Sequence, residues 1–320
     1  MLSKRASKNL LKFLVFILSL VLLYFLLSYI GFDRVGDVLL KVGLPGAIVL
    51  VVLGILENST DARALYHALP EKIPYIKVLP SNSSGSLTNL IIPWEAGEVV
   101  KIGFLKKRAG TSSAIQGIVL WNYIHKLSKP FAIITILFFS LIVGYDYEIN
   151  YFFIVLAASV ISFAPYLGMR FLLKLNLSVK AVKLLKLLRK SDTETLIAKA
   201  EEMDRSLKKF RKERPKDYWA TFAIQFIARL ISWITFVACS YFAGFEYSLS
   251  TLSLAFCAVS LSAYVASFIP AKVGVTEGTG FLIFSFLGLD GGIGLLITFI
   301  LRVKAIVSLS LISFLNFVVK

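Results

Sequence analysis

The sequence predicts an all-α polytopic membrane protein of about seven to eight transmembrane helices. Two further segments read as re-entrant or broken, in a pattern that suggests an inverted repeat. Three observations predict this. Hydrophobic residues make up 57% of the 320, charged residues only 17%, and mean hydropathy is +0.78. Uncharged runs recur that approach the ~20 apolar residues a spanning helix needs. Gly, Pro and hydroxyl residues interrupt that pattern at one place in each half of the chain. A soluble chain cannot hide so much apolar surface, so a soluble enzyme, a disordered chain and a secreted disulfide scaffold are excluded. Cys239 and Cys257 sit in apolar stretches without a CxxC or a nearby His and read as packing residues, not as metal ligands.

The spans follow in order. Phe13–Phe32 stands behind Lys4, Arg5, Lys8 and Lys12 and offers bulky Phe25, Leu26 and Leu27 where a cleavage site needs small residues. It reads as a retained first helix, not a signal peptide. Further runs are Val42–Leu56, Ala109–Ile124, Pro130–Tyr145, Ile149–Met169, Tyr218–Phe245 (interrupted only by Arg229) and Tyr247–Ala271. Gly291–Val319 closes the series, with Arg302 and Lys304 inside it. Glu57, Asn58, Asp61 and Arg63 read as the cytoplasmic cap of the second span. His67 and His125 read as interface histidines.

Charge gives the orientation. The net charge of +16 is not spread as a nucleic-acid surface would need; it follows membrane topology. The turns Gly31–Gly43, Gly144–Asn150, Gly244–Ser250 and Gly288–Gly292 hold the acids Asp33, Asp37, Asp146, Glu148, Glu246 and Asp290 against two bases, Arg34 and Lys41. Arg170–Asp217 holds fifteen bases and seven acids. The N-terminus and this central segment are therefore expected in the cytoplasm, and the chain in the cytoplasmic membrane. Residues 1–320 read as a single membrane domain, with 174–216 a cytoplasmic basic segment between its halves. Lys180, Lys183, Lys186 and Lys190 oppose Leu177, Leu184, Leu185 and Leu188 there. That amphipathic pattern suits an anionic leaflet, and it equally satisfies the positive-inside rule alone. Beyond Ala271 the sidedness stays open, because Gly278–Leu289 is too short to cross unaided.

The two interrupted segments carry the candidate chemistry. Leu79–Lys101 contains Pro80, Ser81, Asn82, Ser83, Ser84, Gly85, Ser86, Thr88, Asn89 and Pro93. Ser267–Gly280 contains Pro270, Lys272, Gly274, Glu277, Gly278 and Gly280. Non-helical backbone at membrane depth survives only where it is buried in protein or lines a wet cavity. Both segments therefore read as broken helices that meet near the bilayer midplane. The competing reading is a surface loop with solvated Glu95, Glu98 and Glu277.

At these residues a resemblance emerges. Asn89-x3-Pro93-x3-Gly97-Glu98-x2-Lys101 resembles the first signature of the lysylphosphatidylglycerol synthase transmembrane-region family, the flippase-like membrane domain. Lys101 stands where that family has a basic residue, usually Arg. Pro270-x3-Gly274-x2-Glu277-Gly278, with Gly288 and Arg302 following, is similar to its second signature; Ala271 and Lys272 replace paired glycines and Thr276 an arginine. The resemblance implies a membrane domain that moves a lipid between leaflets, here without an aminoacyl-transferase domain. Stand-alone members look like accessory proteins of polyprenol-linked or other glycolipid pathways.

The expected transport pathway is therefore Asn89, Pro93, Glu95, Gly97, Glu98, Lys101, Pro270, Lys272, Gly274, Glu277 and Arg302. Polar and ionisable side chains at depth are functional candidates by default. The expected substrate is a lipid with a polar head group: an aminoacylated phospholipid, a glycolipid or a polyprenol-linked glycan. Partners would be membrane lipids, anionic or glycan-linked, with a glycosyltransferase or lipid-synthesis enzyme as a further candidate. No Walker loop, GxGxxG or GxSxG is present. The sequence calls for no cofactor and no metal, and for a transporter more than an enzyme. The alternative is a membrane-embedded transferase using Glu95, Glu98 or Glu277 as base, or a non-catalytic partner of one.

Overall fold

The computed structural model describes residues 21, 24–25, 28–91, 96–164, 166–167, 210–266 and 274–318. No strand occurs among them. The helices are α1 (Phe32–Ala68), α2 (Tyr75–Ile91), α3 (Ala96–Ala109), α4 (Thr111–Ile142), α5 (Ile149–Ile161), α6 (Pro215–Phe242), α7 (Leu249–Ala266), α8 (Val275–Phe286) and α9 (Gly291–Val318). Of these α1, α4, α6 and α9 are long and apolar enough to cross a bilayer, and α5, α7 and α8 are shorter apolar helices. The protein is a polytopic helical membrane protein. The expected first span lies mostly outside the described residues, as does the amphipathic stretch Lys174–Lys190; residues 28–30 are helical and end at Gly31.

Two expectations are corrected. Ala109–Ile124 and Pro130–Tyr145 are not two spans but one helix, α4. The five residues between them, 125–129, continue the helix without a turn. Pro130 is accommodated inside the helix. The second span does not end near Leu56. It continues through Glu57 and Asp61 to Ala68, so these acids are interior to α1 and not a surface cap. At 37 residues α1 would be about 55 Å straight, longer than a ~30 Å hydrocarbon core, and it is kinked at Gly43 (φ 56°), two residues before Pro45. Arg302 and Lys304 lie in the middle of α9, inside the last run as expected.

Side-chain bridges show which turns share an end of the bundle. At one end Arg34 meets Asp290 at 2.6 Å, Ser250 and Thr251 donate to Asp146 at 2.9 and 2.6 Å, and the Asp290 N–H reaches the Tyr247 hydroxyl at 3.4 Å. All four acidic turns contribute, that around Glu246 through Tyr247 and Ser250. At the other end Asp217 holds Arg214 at 2.6 Å, His67 at 3.0 Å and Lys72 at 3.3 Å, and Arg214 also donates to the Leu69 carbonyl.

This arrangement resolves the stretch the sequence left open. Helix α7 starts at the acidic end, α8 ends there, and the two pack against each other as a hairpin whose connecting residues 267–273 lie outside the described ones. Helices α2 and α3 form the opposite hairpin, entering from the basic end and returning to it, where Ser113 at the start of α4 accepts the Glu71 N–H at 3.2 Å. Helix α9 packs against both α2 and α8.

The core is split. One apolar cluster, with Val42, Leu50, Phe236, Leu254 and Phe284, lies toward the acidic end. The other, with Leu65, Ile73, Ile124, Tyr166 and Tyr218, lies toward the basic end. Between Leu50 and Leu65 on α1, and between Tyr218 and Phe236 on α6, the helices carry their interior charges: Glu57, Asp61 and Arg229. A charged layer thus separates two apolar ones.

Candidate functional site

The α2–α3 hairpin builds its own polar centre. Pro80 lies within α2 and its carbonyl accepts from Asn316 of α9 at 2.9 Å; the same amide reaches Ser84 Oγ at 2.7 Å. Ser81 and Thr88 return their hydroxyls to carbonyls one turn back, at 2.7 and 2.8 Å. Asn89 instead reaches across the break. Its Oδ1 accepts the Gly97 N–H at 2.7 Å, capping α3 from the opposite helix, and its Nδ2 donates to Glu98 at 3.3 Å. Glu98 also accepts from Lys101 Nζ at 3.0 Å and from Asn122 Nδ2 at 3.4 Å.

Lys101 is only 1% exposed, with its ammonium 4.2 Å from the centre of the Trp121 ring. A buried ammonium needs such partners, because desolvation otherwise costs several kcal/mol. Glycine allows the approach. A Cβ on Gly97 would lie 1.8 Å from the Gly85 carbonyl oxygen, and one on Gly85 would lie 2.3 Å from Lys101 Cγ.

The second segment repeats this economy of partners with different residues. Gly274 begins α8 at φ 75°, a conformation that favours glycine. Its N–H donates to Glu277 Oε2 at 2.8 Å, the reciprocal half of a capping box. Glu277, fully buried, is forked by Arg302: one bond comes from Nε to Oε1, the other from a terminal nitrogen to Oε2 at 3.2 Å. Two parallel charge-assisted bonds are the strongest way to hold a carboxylate out of water.

Of the sequence-derived residues, Asn89, Gly97, Glu98 and Lys101 come together in one cluster, and Gly274, Glu277 and Arg302 in another. Pro93, Glu95, Pro270 and Lys272 lie outside the described residues. Helix α9 packs against α2 of the first segment and α8 of the second; the expected meeting of the two breaks falls largely on residues outside the described ones.

A third cluster was missed. Glu57 of α1 accepts from Lys304 of α9 at 3.0 Å and from the Ser232 hydroxyl of α6, with Arg229 at 3.9 Å. Close packing at Gly54, where a Cβ would meet Lys304 Cδ at 2.6 Å, brings the α9 lysine in. The signal was present: one acid and two bases stood at depth in three different spans, and such charges pair with one another. Beside this cluster Asp61 is 9% exposed and takes one long bond, 3.5 Å, from Asn82. His125 stacks on Trp121 at 5.6 Å. Among the described residues no group of three or more His, Cys, Asp or Glu could hold a metal.

The lysylphosphatidylglycerol synthase TM region, taken as a family model, matches residues 9–313, nearly the whole chain. The chain belongs to this family. No curated protein and no solved structure matched in the corresponding searches. For a member of the lysylphosphatidylglycerol synthase TM-region family, both hairpins occupy the signature segments, and each signature glutamate sits in a buried ion pair. Family membership places the protein among membrane domains of lipid-related function.

Proposed function

We propose that the protein moves a lipid with a polar head group between the leaflets of the cytoplasmic membrane, with the N-terminus and the 174–216 segment on the cytoplasmic side. One observation supports this reading: two hairpins of opposite direction each supply a glutamate to a charge pair, Glu98–Lys101 and Glu277–Arg302. Burying such charges costs more than an apolar core of the same volume, so their retention asks for a use. A head group needs a polar path while its acyl chains stay in lipid. Lys101 can exchange Glu98 for a lipid phosphate without ever being unpaired, and Asn89 and Asn122 then hold the released carboxylate. The hydroxyl-rich face of α2 supplies hydrogen bonds that replace hydration on either side of that step.

A transferase draws less support. A general base must be free to take a proton, and Glu98 and Glu277 are both committed to cations.

The test is leaflet transfer in proteoliposomes containing the purified chain and lipids with a chemically reducible fluorescent head group. The protein is expected to make the inner-leaflet pool accessible, and Glu98→Gln to abolish this while the protein still elutes as a folded species. Accessibility equal to that of empty vesicles would overturn the reading.

A further inference from the structure

Glu57 and Asp61 stand one turn apart on α1, and the fold treats them differently. Glu57 takes Lys304 Nζ at 3.0 Å, Arg229 at 3.9 Å and the Ser232 hydroxyl. Asp61 is also buried, yet among the described residues no cation comes within ion-pair range of it. The one donor it receives is neutral. Asn82 Nδ2 reaches its Oδ2 at 3.5 Å, well beyond the ~2.9 Å usual for an N–H···O bond.

The contact between these two side chains is held on both sides of α2. Tyr75, at the start of α2, donates to the Ser59 carbonyl of α1 at 2.7 Å. Pro80 and Ser84, which flank Asn82, both accept from Asn316 of α9, at 2.9 and 2.7 Å. Asn82 itself is fully buried. What is left over is one acceptor on each planar head: Asp61 Oδ1 and Asn82 Oδ1 are buried without a partner. Native interiors leave few such atoms unpaired. A carboxylate has no hydrogen to offer the amide oxygen, and a carboxylic acid has one. With a proton on Oδ1, Asp61 donates to Asn82 Oδ1 while Asn82 Nδ2 donates to Asp61 Oδ2. A single hydrogen then closes a cyclic acid–amide pair and satisfies both leftover oxygens. Turning the amide over instead sets its oxygen against Asp61 Oδ2 and leaves an N–H unpaired.

We infer that Asp61 and Asn82 form a buried proton-binding site between α1 and α2, and that its proton is exchanged with water as lipid is moved. The charged groups acting on Asp61 are Arg229, Lys101 and Glu57, and each is already paired: Arg229 with Glu57, and Lys101 with Glu98 at 3.0 Å. Lys304 of α9 is held by Glu57, His125 of α4 is stacked on Trp121, and Arg63 is exposed beside the Tyr66 ring. Lys77, the only charged residue of α2, stands five positions before Asn82 and so on another face. None of these replaces the proton. Without it, a carboxylate faces an amide oxygen in the interior, which water must then relieve, so the ionised form requires the α1–α2 contact to open. Helix α2 is also half of the hairpin that holds Glu98 and Lys101, so the same opening reaches the place where a head group is exchanged. The proton is taken from water on one side and returned to water on the other; only an O–H bond forms and breaks. The site stands on its hydrogen-bond geometry, and its use in coupling rests on the lipid-carrier reading above.

The first experiment is infrared spectroscopy of the purified full chain in detergent at neutral pH. A hydrogen-bonded carboxylic-acid C=O stretch is expected, moving down in heavy water and lost in Asp61→Asn. That substitution restores both bonds of the pair, its amide nitrogen standing in for the protonated oxygen, and is expected to melt with the wild type. Asn82→Ala is expected to move the band to higher frequency; Asn82→Ser, which also lacks the amide, is the substitute if the alanine variant does not fold. The second experiment is leaflet transfer in proteoliposomes with a pH difference across the membrane. One proton per lipid sustains a leaflet asymmetry of at most about tenfold per pH unit, reversing with the gradient and lost in Asp61→Asn.

No acid band at neutral pH, a band that survives Asp61→Asn, or a band unmoved by loss of the Asn82 amide overturns the site. A much lower melting temperature for Asp61→Asn does the same, because it shows that the fold needs the carboxylate. The band together with transfer indifferent to the gradient overturns the coupling and leaves the carrier function standing. The band without any transfer removes the carrier function and leaves the proton site.

Discussion

Glu277 and Glu98 stand in matching signature segments but in unequal surroundings. Glu277 is fully buried, and its carboxylate is divided between Arg302 and the Gly274 N–H. Removing its charge strands a guanidinium in the interior. Glu277→Gln is expected to cost about 3–5 kcal/mol, seen as a lower melting temperature and less folded protein; Arg302→Met in the same chain is expected to recover most of it. Glu98 is 16% exposed at its side chain and keeps two amide donors, Asn89 and Asn122, which a glutamine can still satisfy. Glu98→Gln is therefore expected to stay folded, so its effect on leaflet transfer reports function. The comparison is a melt of each purified variant in the same detergent.

Two acids outside the spans also have altered ionisation. The Arg34 guanidinium, outweighing partial burial, holds Asp290 below its ordinary carboxylate value. For Asp146 burial raises the value, but hydroxyl bonds from Ser248, Thr251 and Ser250 outweigh it and the net shift is downward. A depressed folded value means stability present at neutral pH and lost as pH falls through it, below the usual value near 3.9. Arg34→Gln should flatten that acid limb of the melting curve while leaving the neutral plateau nearly unchanged. Both acids are largely solvated, so the effect is modest.

At the scale of elements, the α2–α3 hairpin depends on backbone meeting backbone. Gly97→Ala drives a methyl into the Gly85 carbonyl, an atom that cannot swing aside. The expected cost is about 3 kcal/mol, the upper end of overpacking, together with loss of the Asn89 cap. Gly103, on the same helix with nothing within 4 Å of its would-be Cβ, is the control. Gly103→Ala should be neutral or stabilising by up to ~1 kcal/mol through helix propensity. Equal melting of the two variants would mean that α2 and α3 do not pack this way. Helix α4 shows why element boundaries were harder to read than element type. Lys126 and Lys129 divide its hydropathy into two runs, but charges in a helix do not end it; only a turn does.

For the whole molecule, the bridges at each end of the bundle tie the acidic turns together and the basic connections together. Cysteine labelling tests the sidedness proposed for them. In an otherwise Cys-free chain, Asn150→Cys is expected to react with an impermeant maleimide from outside intact cells and Ser191→Cys only after lysis. Reaction of Ser191→Cys from outside would reverse the proposed orientation. A second whole-molecule outcome concerns α9, which contacts both hairpins and supplies Arg302, Lys304 and Asn316 to three different polar contacts. Lys304→Met leaves Glu57 with Arg229 at 3.9 Å and Ser232, and is expected to cost less than Glu277→Gln in the same melts.

Fold class was readable from the chain alone, because it depends on local order. Hydropathy is a running property, and the Asn89–Gly97–Glu98–Lys101 cluster joins residues within thirteen positions of one another. The partners of Glu57, Lys304 and Arg229, were not readable. Those residues are separated by 247 positions for Glu57–Lys304, and nothing local says which faces of α1, α6 and α9 will meet. The polar pattern could say that charges at depth must find partners. Only the packing of helices against one another decided which partners they found.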